Sequence, residues 1–477
     1  MSDTGKDAAS IEPPRATQGE QLVKAVKWII QEKIFTEIKL HGNIDWLVID
    51  LVQIAILWVW SSQRKLVDSA DEAIADARKL FGAVHVNSYQ TLLTGLKKYS
   101  PEILCRLSQR MHGLMETSDR VNFRIGLWLV LAVDGSRIST CRTLPNEQRF
   151  CKPSSATKKK KKKNKRGRTA KKRKPVSQKK HYDPQPVGPQ VWLTLLWHVG
   201  QRLPWAWKIG PSYSSERNHL REMIQAMKFP ENTLICGDAG FVGYDFWQTI
   251  KEQGHQFLVR VGGNCTLLKQ LGRVREKDGI VYCWPGEKQR RNEPPLVLRL
   301  IRLHDGRGEI YLVTSELNQR KLSDRQASEI YRRRWGIEVQ FRSLKQTYGR
   351  SKLLGRTPDV VEQELSWSLM GLWMIQLLAR REQVDEIEPE GKTSVAMVLR
   401  IVQNILRRPD EKPARRDSLK NLLAQATIDQ YDRQSKKKSR NYPRRKEEPR
   451  SGPPKIKLAT IAQKKLDKAI QALSNAA

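Results

Sequence analysis

The spacing of hydrophobic residues divides the chain into regions of different character. Between Gln21 and about residue 120, apolar side chains recur every three or four positions, as in LVKAVKWIIQ and WLVIDLVQIAILWVW, which is the spacing of helices that bury one face or more. We therefore predict a helical N-terminal domain over residues 20–120, preceded by a polar, disordered segment at 1–19. From residue 121 this spacing changes to short apolar runs bounded by turn residues, the pattern of strands.

The strand-like runs over residues 121–381 alternate with helical segments, which predicts a mixed α/β domain. The run LWLVLAVD ends at Asp134, where Asp-Gly predicts a turn before a second strand, and the run TLICGD ends at Asp238. Residues 262–318 hold three more strand-like runs, IVYCW, LVLRLIRL and EIYLVTS, separated by Gly, Pro and charged residues. They predict a β-rich insertion within the domain.

Helices are predicted after the insertion. A long helix over about 324–347 begins with the capping-box sequence Ser-x-x-Gln, and a second apolar helix spans roughly 360–381. In the remaining region, 382–477, we expect helical pieces interrupted by a basic, Pro-containing linker at 433–456. The predicted fold is thus an α/β core flanked by helical N-terminal and C-terminal regions.

The charge of the chain indicates a polyanionic partner. The 477 residues carry a formal net charge of +37. Residues 157–180 include 15 Lys or Arg and no acid, so self-repulsion and the lack of apolar side chains predict a disordered basic insert. Subtracting these 15 charges from +37 leaves +22 on the rest of the chain, which favours a nucleic acid. Charge alone does not distinguish DNA from RNA, or an enzyme from a packaging protein.

Several classes of protein do not fit the sequence. The six cysteines are scattered without a Cys-x-x-Cys pair, which argues against a disulfide framework or a zinc site and predicts free thiols in a reducing cytoplasm. The N-terminus lacks the organisation of a signal peptide. The longest apolar run, Trp46 to Trp60, contains Asp50 and Gln53 and is shorter than the ~20 residues of a membrane span. It predicts a buried helix, and we expect no membrane partner.

Two carboxylates mark candidate chemistry. Asp134 and Asp238 each end an intensely apolar strand, and a carboxylate at such a place is costly to desolvate unless it is paired or binds a metal ion. Taken alone, each also fits an ordinary turn, because Asp-Gly and Asp-Ala-Gly are common turn sequences.

The helix predicted over 324–347 contains a third group of candidates. At about 100° per residue, four of its side chains fall within about 60° of one another, and these are Tyr331, Arg334, Glu338 and Lys345. A solvated, salt-bridged face is the alternative interpretation. The sequence RRRW at 332–335 favours a nucleic-acid contact, because basic and aromatic side chains together suit phosphates and unstacked bases.

The order of the predicted elements connects these residues. The predicted elements follow the order of a ribonuclease H-like core. That order is a strand with Asp, antiparallel strands, a helix, a strand with Asp, a helix, a strand, a β-rich insertion and a helix with Glu. In that fold the first and fourth strands are neighbours, so Asp134 and Asp238 are expected to converge, with Glu338 reaching them from the packed helix. Three carboxylates at one point require cations between them, and oxygen ligands suit Mg²⁺ or Mn²⁺. Two ions about 3.5–4 Å apart would activate a water or a 3′-hydroxyl for in-line displacement.

These motifs resemble those of a known family. The spacing Tyr-x2-Arg-x3-Glu-x6-Lys at 331–345 is similar to the Tyr-Arg-Glu-Lys signature of DDE transposases of the insertion-sequence-four type. VDGS at 133–136 and DAGF at 238–241 resemble the two Asp motifs of that family. The strand FLVRV, which ends near Arg260, and the β-rich segment before the signature also fit. The resemblance covers about residues 125–380.

The resemblance implies roles for individual residues. Asp134, Asp238 and Glu338 would be the catalytic residues and the ligands of two Mg²⁺ or Mn²⁺ ions. Phosphates near the cut transposon end would be held by Tyr331, Arg334 and Lys345, and further DNA contacts would come from Arg260 and Arg342. Relatives stack a flipped base on a Trp, and the candidates here are Trp335 and Trp284, with a core position as the alternative for each.

The implied function is cut-and-paste DNA transposition, with cleavage through a hairpin intermediate. The partners would be double-stranded DNA, both element ends and target, bound by a homodimer in a synaptic complex. We expect a bacterial, cytoplasmic protein associated with the nucleoid. A less specific ribonuclease H-like nuclease and a catalytically decayed nucleic-acid-binding protein derived from a transposase are the alternatives. The basic insert fits either a DNA clamp or a solvated linker.

Overall fold

A computed structural model of the chain describes residues 16–82, 85–152, 188–276, 279–304, 308–383, 393–427 and 452–476. Two segments predicted to be disordered and the predicted basic linker fall largely or wholly beyond these ranges: residues 1–15 of the first segment, the basic insert 157–180, and 433–451 of the linker. Residues 18 and 19, by contrast, belong to the first helix. None of the helices described combines the length and the hydrophobicity needed to cross a membrane.

One ten-stranded mixed sheet forms the centre of the molecule. Its strands are β1 (Leu129–Ser139), β2 (Gln190–His198), β3 (Leu203–Pro211), β4 (Thr233–Gly237), β5 (Gln256–Val261), β6 (Thr266–Lys269), β7 (Ile280–Cys283), β8 (Leu296–His304), β9 (Glu309–Thr314) and β10 (Lys455–Leu458). They lie in the order β10-β6-β7-β8-β9-β5-β4-β1-β2-β3. Strand β1 is antiparallel to β2 and parallel to β4, so the first and fourth strands are neighbours, as the predicted ribonuclease H-like order requires.

Helices precede, interrupt and follow this sheet. Those before it are α1 (Gln18–Ile29), α2 (Val48–Trp60), α3 (Leu66–Phe81), α4 (Tyr89–Ser118) and α5 (Arg120–Phe123). Those within it are α6 (Leu144–Phe150), α7 (Glu216–Ala226), α8 (Tyr244–Glu252) and α9 (Gly286–Arg290). Those after β9 are α10 (Asp324–Arg333), α11 (Gly336–Arg342), α12 (Pro358–Gln383), α13 (Val395–Arg407), α14 (Leu419–Ala424) and α15 (Ile461–Ala476). Helix α2 is buried along nearly its whole length, as predicted.

The turn predicted at Asp134 is absent from the structure, and that prediction was wrong. Strand β1 continues through Asp134 and Gly135, which pair with Leu195 and Thr194 of β2. On its other side, β1 pairs with β4 only as far as Ala132. The long partner β2 therefore keeps the backbone extended, while Asp134 already lies beyond the end of the β4 ladder.

The helix predicted over 324–347 is also interrupted. Helix α10 ends at Arg333, α11 begins at Gly336, and residues 343–347 form a π-turn. A Cβ atom added at Gly336 would overlap the indole of Trp197, with Cζ2 and Cζ3 2.7 and 2.8 Å away. Glycine permits this close approach at a cost in helix propensity. The break means that the ideal rotation of 100° per residue does not hold between Tyr331 and Lys345.

The C-terminal region contains a strand that the sequence pattern did not predict. Within the predicted linker 433–456, Lys455 and Ile456 belong to β10, which pairs in parallel with β6 at the edge of the sheet. Helix α15 then packs its Ile470 against Leu268, Leu271, Tyr282 and Trp284 in a small second core. The chain end therefore covers the β-rich insertion, which was predicted at 262–318.

Helix α12 joins the N-terminal helices to the α/β region. The indole of Trp60 donates to the carbonyl of Gly371 at 3.1 Å, and the indole of Trp367 donates to the hydroxyl of Ser100 at 2.8 Å. At the far end, Arg380 forms a buried ion pair with Asp119 at 2.8 Å. These contacts lie in one continuous hydrophobic core, so the N-terminal helices do not have a separate core of their own.

Replacing Arg380 by Met is expected to lower the free energy of unfolding by about 3–5 kcal/mol, because it leaves the buried Asp119 carboxylate without its cation. Urea unfolding followed by circular dichroism measures the change. The exposed pair Lys79–Asp410 provides a control, since Lys79→Met removes an ion pair that water already screens.

A double variant, Asp119→Asn with Arg380→Met, should recover part of the lost stability, because no charge then remains buried without a partner. An Arg380→Met protein as stable as the Lys79→Met protein would contradict this assignment.

Candidate active site

Asp134 is the first of the three carboxylates predicted from the sequence, which we call the acidic group together with Asp238 and Glu338. Its side chain is half-buried, and Oδ1 accepts a hydrogen bond from the backbone N–H of Gly135 at 2.8 Å. The pKa of Asp134 is raised to about 6, chiefly by burial and to a smaller degree by the charges of Asp238 and Glu338, against the lowering effects of the Gly135 N–H and Arg334. The three carboxylates predicted from the sequence are therefore close enough to interact electrostatically.

Asp238 directly follows β4 and is half-buried. Its Oδ1 accepts from the backbone N–H of Gly240 at 2.8 Å and caps the short 3-10 turn at Ala239–Phe241. Asp238 thus has the turn geometry expected of Asp-Ala-Gly. The same turn holds its carboxylate at the end of β4, beside β1.

Glu338 reaches the group from helix α11, where its side chain is exposed in the first turn. Helix α11 packs against β1. Because Gly336 has no side chain, α11 can approach the Trp197 ring of the neighbouring strand β2 closely. Among the residues that the structure describes, no three Asp, Glu, His or Cys side chains already stand in the arrangement of a metal-binding cluster. Convergence around one ion would require their side chains to turn toward each other.

A fourth acid, Glu216, was missed in the sequence analysis. It lies half-buried in the first turn of α7. Burial raises the pKa of Glu216 to about 7, with further contributions from Asp134 and Asp238 and an opposing one from Arg137. A first-turn Glu after a Ser cap is common in helices, so only the packing of α7 on the sheet reveals that this residue joins the group.

Arg334 is a cation that interacts electrostatically with Asp134 and Asp238, and only 4% of its surface is exposed. Its guanidinium lies 5.4 Å from the ring centroid of Tyr331 and 5.6 Å from that of Trp335. Burial lowers the pKa of Arg334, but Tyr331, Cys236, Asp238 and Asp134 together raise it above its ordinary value. No described residue accepts a hydrogen bond from Nε. The burial of Arg334 favours a role as a counter-charge for the carboxylates over a role as an open phosphate contact.

The other predicted polar contacts differ in exposure. Tyr331 is buried, and the Arg260 side chain forms a hydrogen bond with it. Lys345 is half-buried and donates from Nζ to the hydroxyl of Ser136 at 2.7 Å, which ties the signature segment to the first Asp motif. Arg342 is exposed. Arg342 and the partly exposed Arg260 and Lys345 are therefore the cations with surface available to a ligand.

The two candidate tryptophans have opposite environments. Trp335 is 56% exposed beside Arg334, so one ring face is open to a ligand. Trp284 is 3% exposed, packs in the small second core, and donates from its indole to the carbonyl of Glu293 at 2.8 Å. This burial supports the core interpretation of Trp284 and does not support the prediction that it stacks on a base.

The donor set suits a hard divalent cation. All four acidic groups offer carboxylate oxygens, the ligands that Mg²⁺ and Mn²⁺ favour. They repel one another, and a single buried guanidinium does not balance their charge. The residues present therefore fit the divalent ions implied by the sequence motifs.

Comparison with known proteins identifies the family to which this region is similar. Residues 129–374, more than half of the chain, match the family model described as a transposase DDE domain. The transposase InsG for insertion sequence element IS4 from Escherichia coli (strain K12) is 26% identical over 233 residues. That match covers 46% of this chain and 51% of the relative, so the chain spans about half of its length.

A solved piggyBac transposase synaptic complex with hairpin DNA covers 89% of this chain and 90% of its own, with 10% identity and a TM-score of 0.38. The match over residues 129–374 includes β1, β4 and α11 together with all three predicted carboxylates. The chain belongs to the transposase DDE domain family.

Proposed function

We propose that the protein is a DNA transposase that cleaves at the ends of an insertion sequence and joins those ends to target DNA. The observation that carries this proposal is the placement of Asp134 and Asp238 at the ends of the paired stretch of neighbouring strands β1 and β4, with Glu338 on helix α11, which packs against β1. The family match and the insertion-sequence relative support the choice of DNA as substrate. The net charge of +37 supports it as well.

In this mechanism Asp134, Asp238 and Glu338 would hold two divalent ions. When bound, such ions would supply the activation of a water or 3′-hydroxyl and the stabilisation of the leaving oxygen in an in-line displacement. The two aspartates are attached to neighbouring strands, so the protein supplies a rigid pair of ligands, and Glu338 completes the set from an exposed helix face. The buried guanidinium of Arg334 partly offsets the negative charge of Asp134 and Asp238. This reduces the repulsion between the two carboxylates before the ions bind.

DNA would lie across the exposed side of α11. Arg342 and Lys345 provide cations for its phosphates, with Arg260 behind them. The open ring of Trp335 suits a base turned out of the duplex, a step that would accompany hairpin formation. We further propose that two copies of the chain bring two DNA ends together.

Neutralising any one of the three acids, by Asp134→Asn, Asp238→Asn or Glu338→Gln, is expected to reduce Mg²⁺-dependent cleavage by more than about 100-fold. Losing an outer-shell group at a metal site already costs roughly 10- to 100-fold. The assay uses DNA carrying the inverted repeats that flank the gene. DNA affinity should persist within a few-fold, since it depends on Lys and Arg contacts with phosphates.

Asp245→Asn is the matched control, because Asp245 is an exposed carboxylate that pairs with Lys288 on the same α/β region. Full cleavage by the three acid variants would overturn the proposal. A wild-type protein that binds DNA in a salt-dependent manner but cleaves neither repeat ends nor other DNA would favour the non-catalytic alternative.

Trp335→Ala is expected to weaken cleavage of the element end by roughly 10- to 100-fold, because base–aromatic stacking contributes about 1–3 kcal/mol per base. Trp335→Phe should retain most of the activity, since a ring face remains. The melting temperature should change little in either variant, because the indole is 56% exposed. A 2-aminopurine placed at the terminal positions of the element-end DNA would report stacking directly, because its fluorescence is quenched when it stacks on the indole. A Trp335→Ala variant that cleaves the DNA and quenches this fluorescence like the wild type would rule out this role.

A further inference from the structure

We propose that Glu216 is a fourth carboxylate ligand of the divalent ions, alongside Asp134, Asp238 and Glu338. The inference rests on the proposed function, since it concerns the same ion site. It adds a residue from α7, an element that contributes none of the sequence motifs on which the three-acid assignment depends. Three independent features of the structure support it, namely the direction of the α7 face, the space above Gly135, and the lack of a partner for the carboxylate.

The buried face of α7 directs Glu216 toward the sheet. Residues three and four positions apart share one helix face, and His219, Leu220 and Met223 on this face are buried. Nδ1 of His219 is hydrogen-bonded to Oγ1 of Thr194 in β2 at 2.9 Å, which fixes the helix to the sheet. Glu216 lies one turn before His219, so its side chain extends over the same surface toward β1.

Gly135 provides the space for this carboxylate. A Cβ atom added at Gly135 would lie 2.6 Å from Cγ and 2.7 Å from Cδ of Glu216, distances that real Cβ atoms do not adopt. The Glu216 side chain therefore rests directly on the β1 backbone beside Asp134. Glycine at this place leaves room for a second acid next to the first.

The Glu216 carboxylate has no partner that explains its burial. No described residue donates a hydrogen bond to it or forms an ion pair with it, and its nearest charges include those of Asp134 and Asp238. The structural acid Glu364 differs, because it accepts from the N–H groups of Leu354 and Gly355 at 2.8 and 3.0 Å and lies near Arg350. Arg137 opposes the charges of Asp134 and Asp238 but forms no ion pair with Glu216 among the described contacts. A half-buried carboxylate placed beside two like charges without a paired cation is costly, and a divalent cation between the acids removes that cost.

Charge balance favours four acids over three. Four carboxylates carry the same amount of charge as two divalent cations, whereas three leave an excess positive charge beside the buried Arg334. Glu216 thus completes a site that can bind two ions without a large residual charge.

The test measures Mn²⁺ binding to the full-length protein by isothermal titration calorimetry, without DNA. Glu216→Gln keeps the shape of the side chain but removes its charge, and it should weaken Mn²⁺ binding by about 10-fold or more. Glu222→Gln is the matched control, because Glu222 lies on the same helix and pairs with Lys208 at the surface. It should bind Mn²⁺ like the wild type. Asp134→Asn should lose affinity as well.

A second measurement separates ligand loss from damage to the fold. The melting temperature of metal-free Glu216→Gln should be higher than that of the wild type, because repulsion among the acids is reduced. Its increase on adding Mn²⁺ should be smaller, because binding is weaker. A purely structural role for Glu216 predicts a lower metal-free melting temperature instead.

The outcomes distinguish the inference from the function on which it rests. Weaker Mn²⁺ binding in both Glu216→Gln and Asp134→Asn supports the four-acid site. If Asp134→Asn loses Mn²⁺ affinity while Glu216→Gln binds Mn²⁺ like the wild type, the inference is overturned and the proposed function stays intact. Unchanged binding in both variants, or no Mn²⁺ binding by the wild type, contradicts the proposed ion site itself, and the inference fails with it.

Discussion

Mutual repulsion among half-buried carboxylates is the constraint on which the rest of this site depends. Asp134 and Asp238 are attached to neighbouring strands and cannot move far apart, and burial with this repulsion raises the pKa of Asp134 to about 6. The protein compensates in part with Arg334, a buried cation packed between two aromatic rings. The remaining negative charge favours the binding of divalent cations between these carboxylates. This attraction links the fold to the proposed chemistry.

The surrounding packing keeps this costly arrangement in position. Strand β2 holds β1 extended past the end of β4, so Asp134 is presented without a flexible turn. The contact of Gly336 with Trp197 brings α11 close to the sheet, and the Lys345–Ser136 hydrogen bond ties the signature segment to β1. Behind the sheet, α12 joins the N-terminal helices into the same core through buried hydrogen bonds. A rigid support of this kind is what closely placed like charges require.

Sequence patterns predicted the parts of the structure that depend on local order. Apolar runs located β1, β4 and α2, and the residue spacing at 331–345 identified the family that the domain match then supported. The patterns failed where a distant partner decides the outcome. Pairing with β2 overrides the turn tendency of Asp134–Gly135. The Trp197 ring leaves no room for a side chain at Gly336, and β10 pairs with the edge of β6. Glu216 was missed for the same reason, since its role depends on where α7 packs.

The central claim is that acids distant in sequence meet around divalent ions at the junction of β1, β4 and α11. A crystal structure of the protein grown with Mn²⁺, with anomalous scattering used to locate the metal, tests it most directly. The account predicts anomalous peaks in contact with Asp134 and Asp238, with Glu338 turned toward them. Mn²⁺ bound only at other places, or these carboxylates still apart at saturating Mn²⁺, would contradict it.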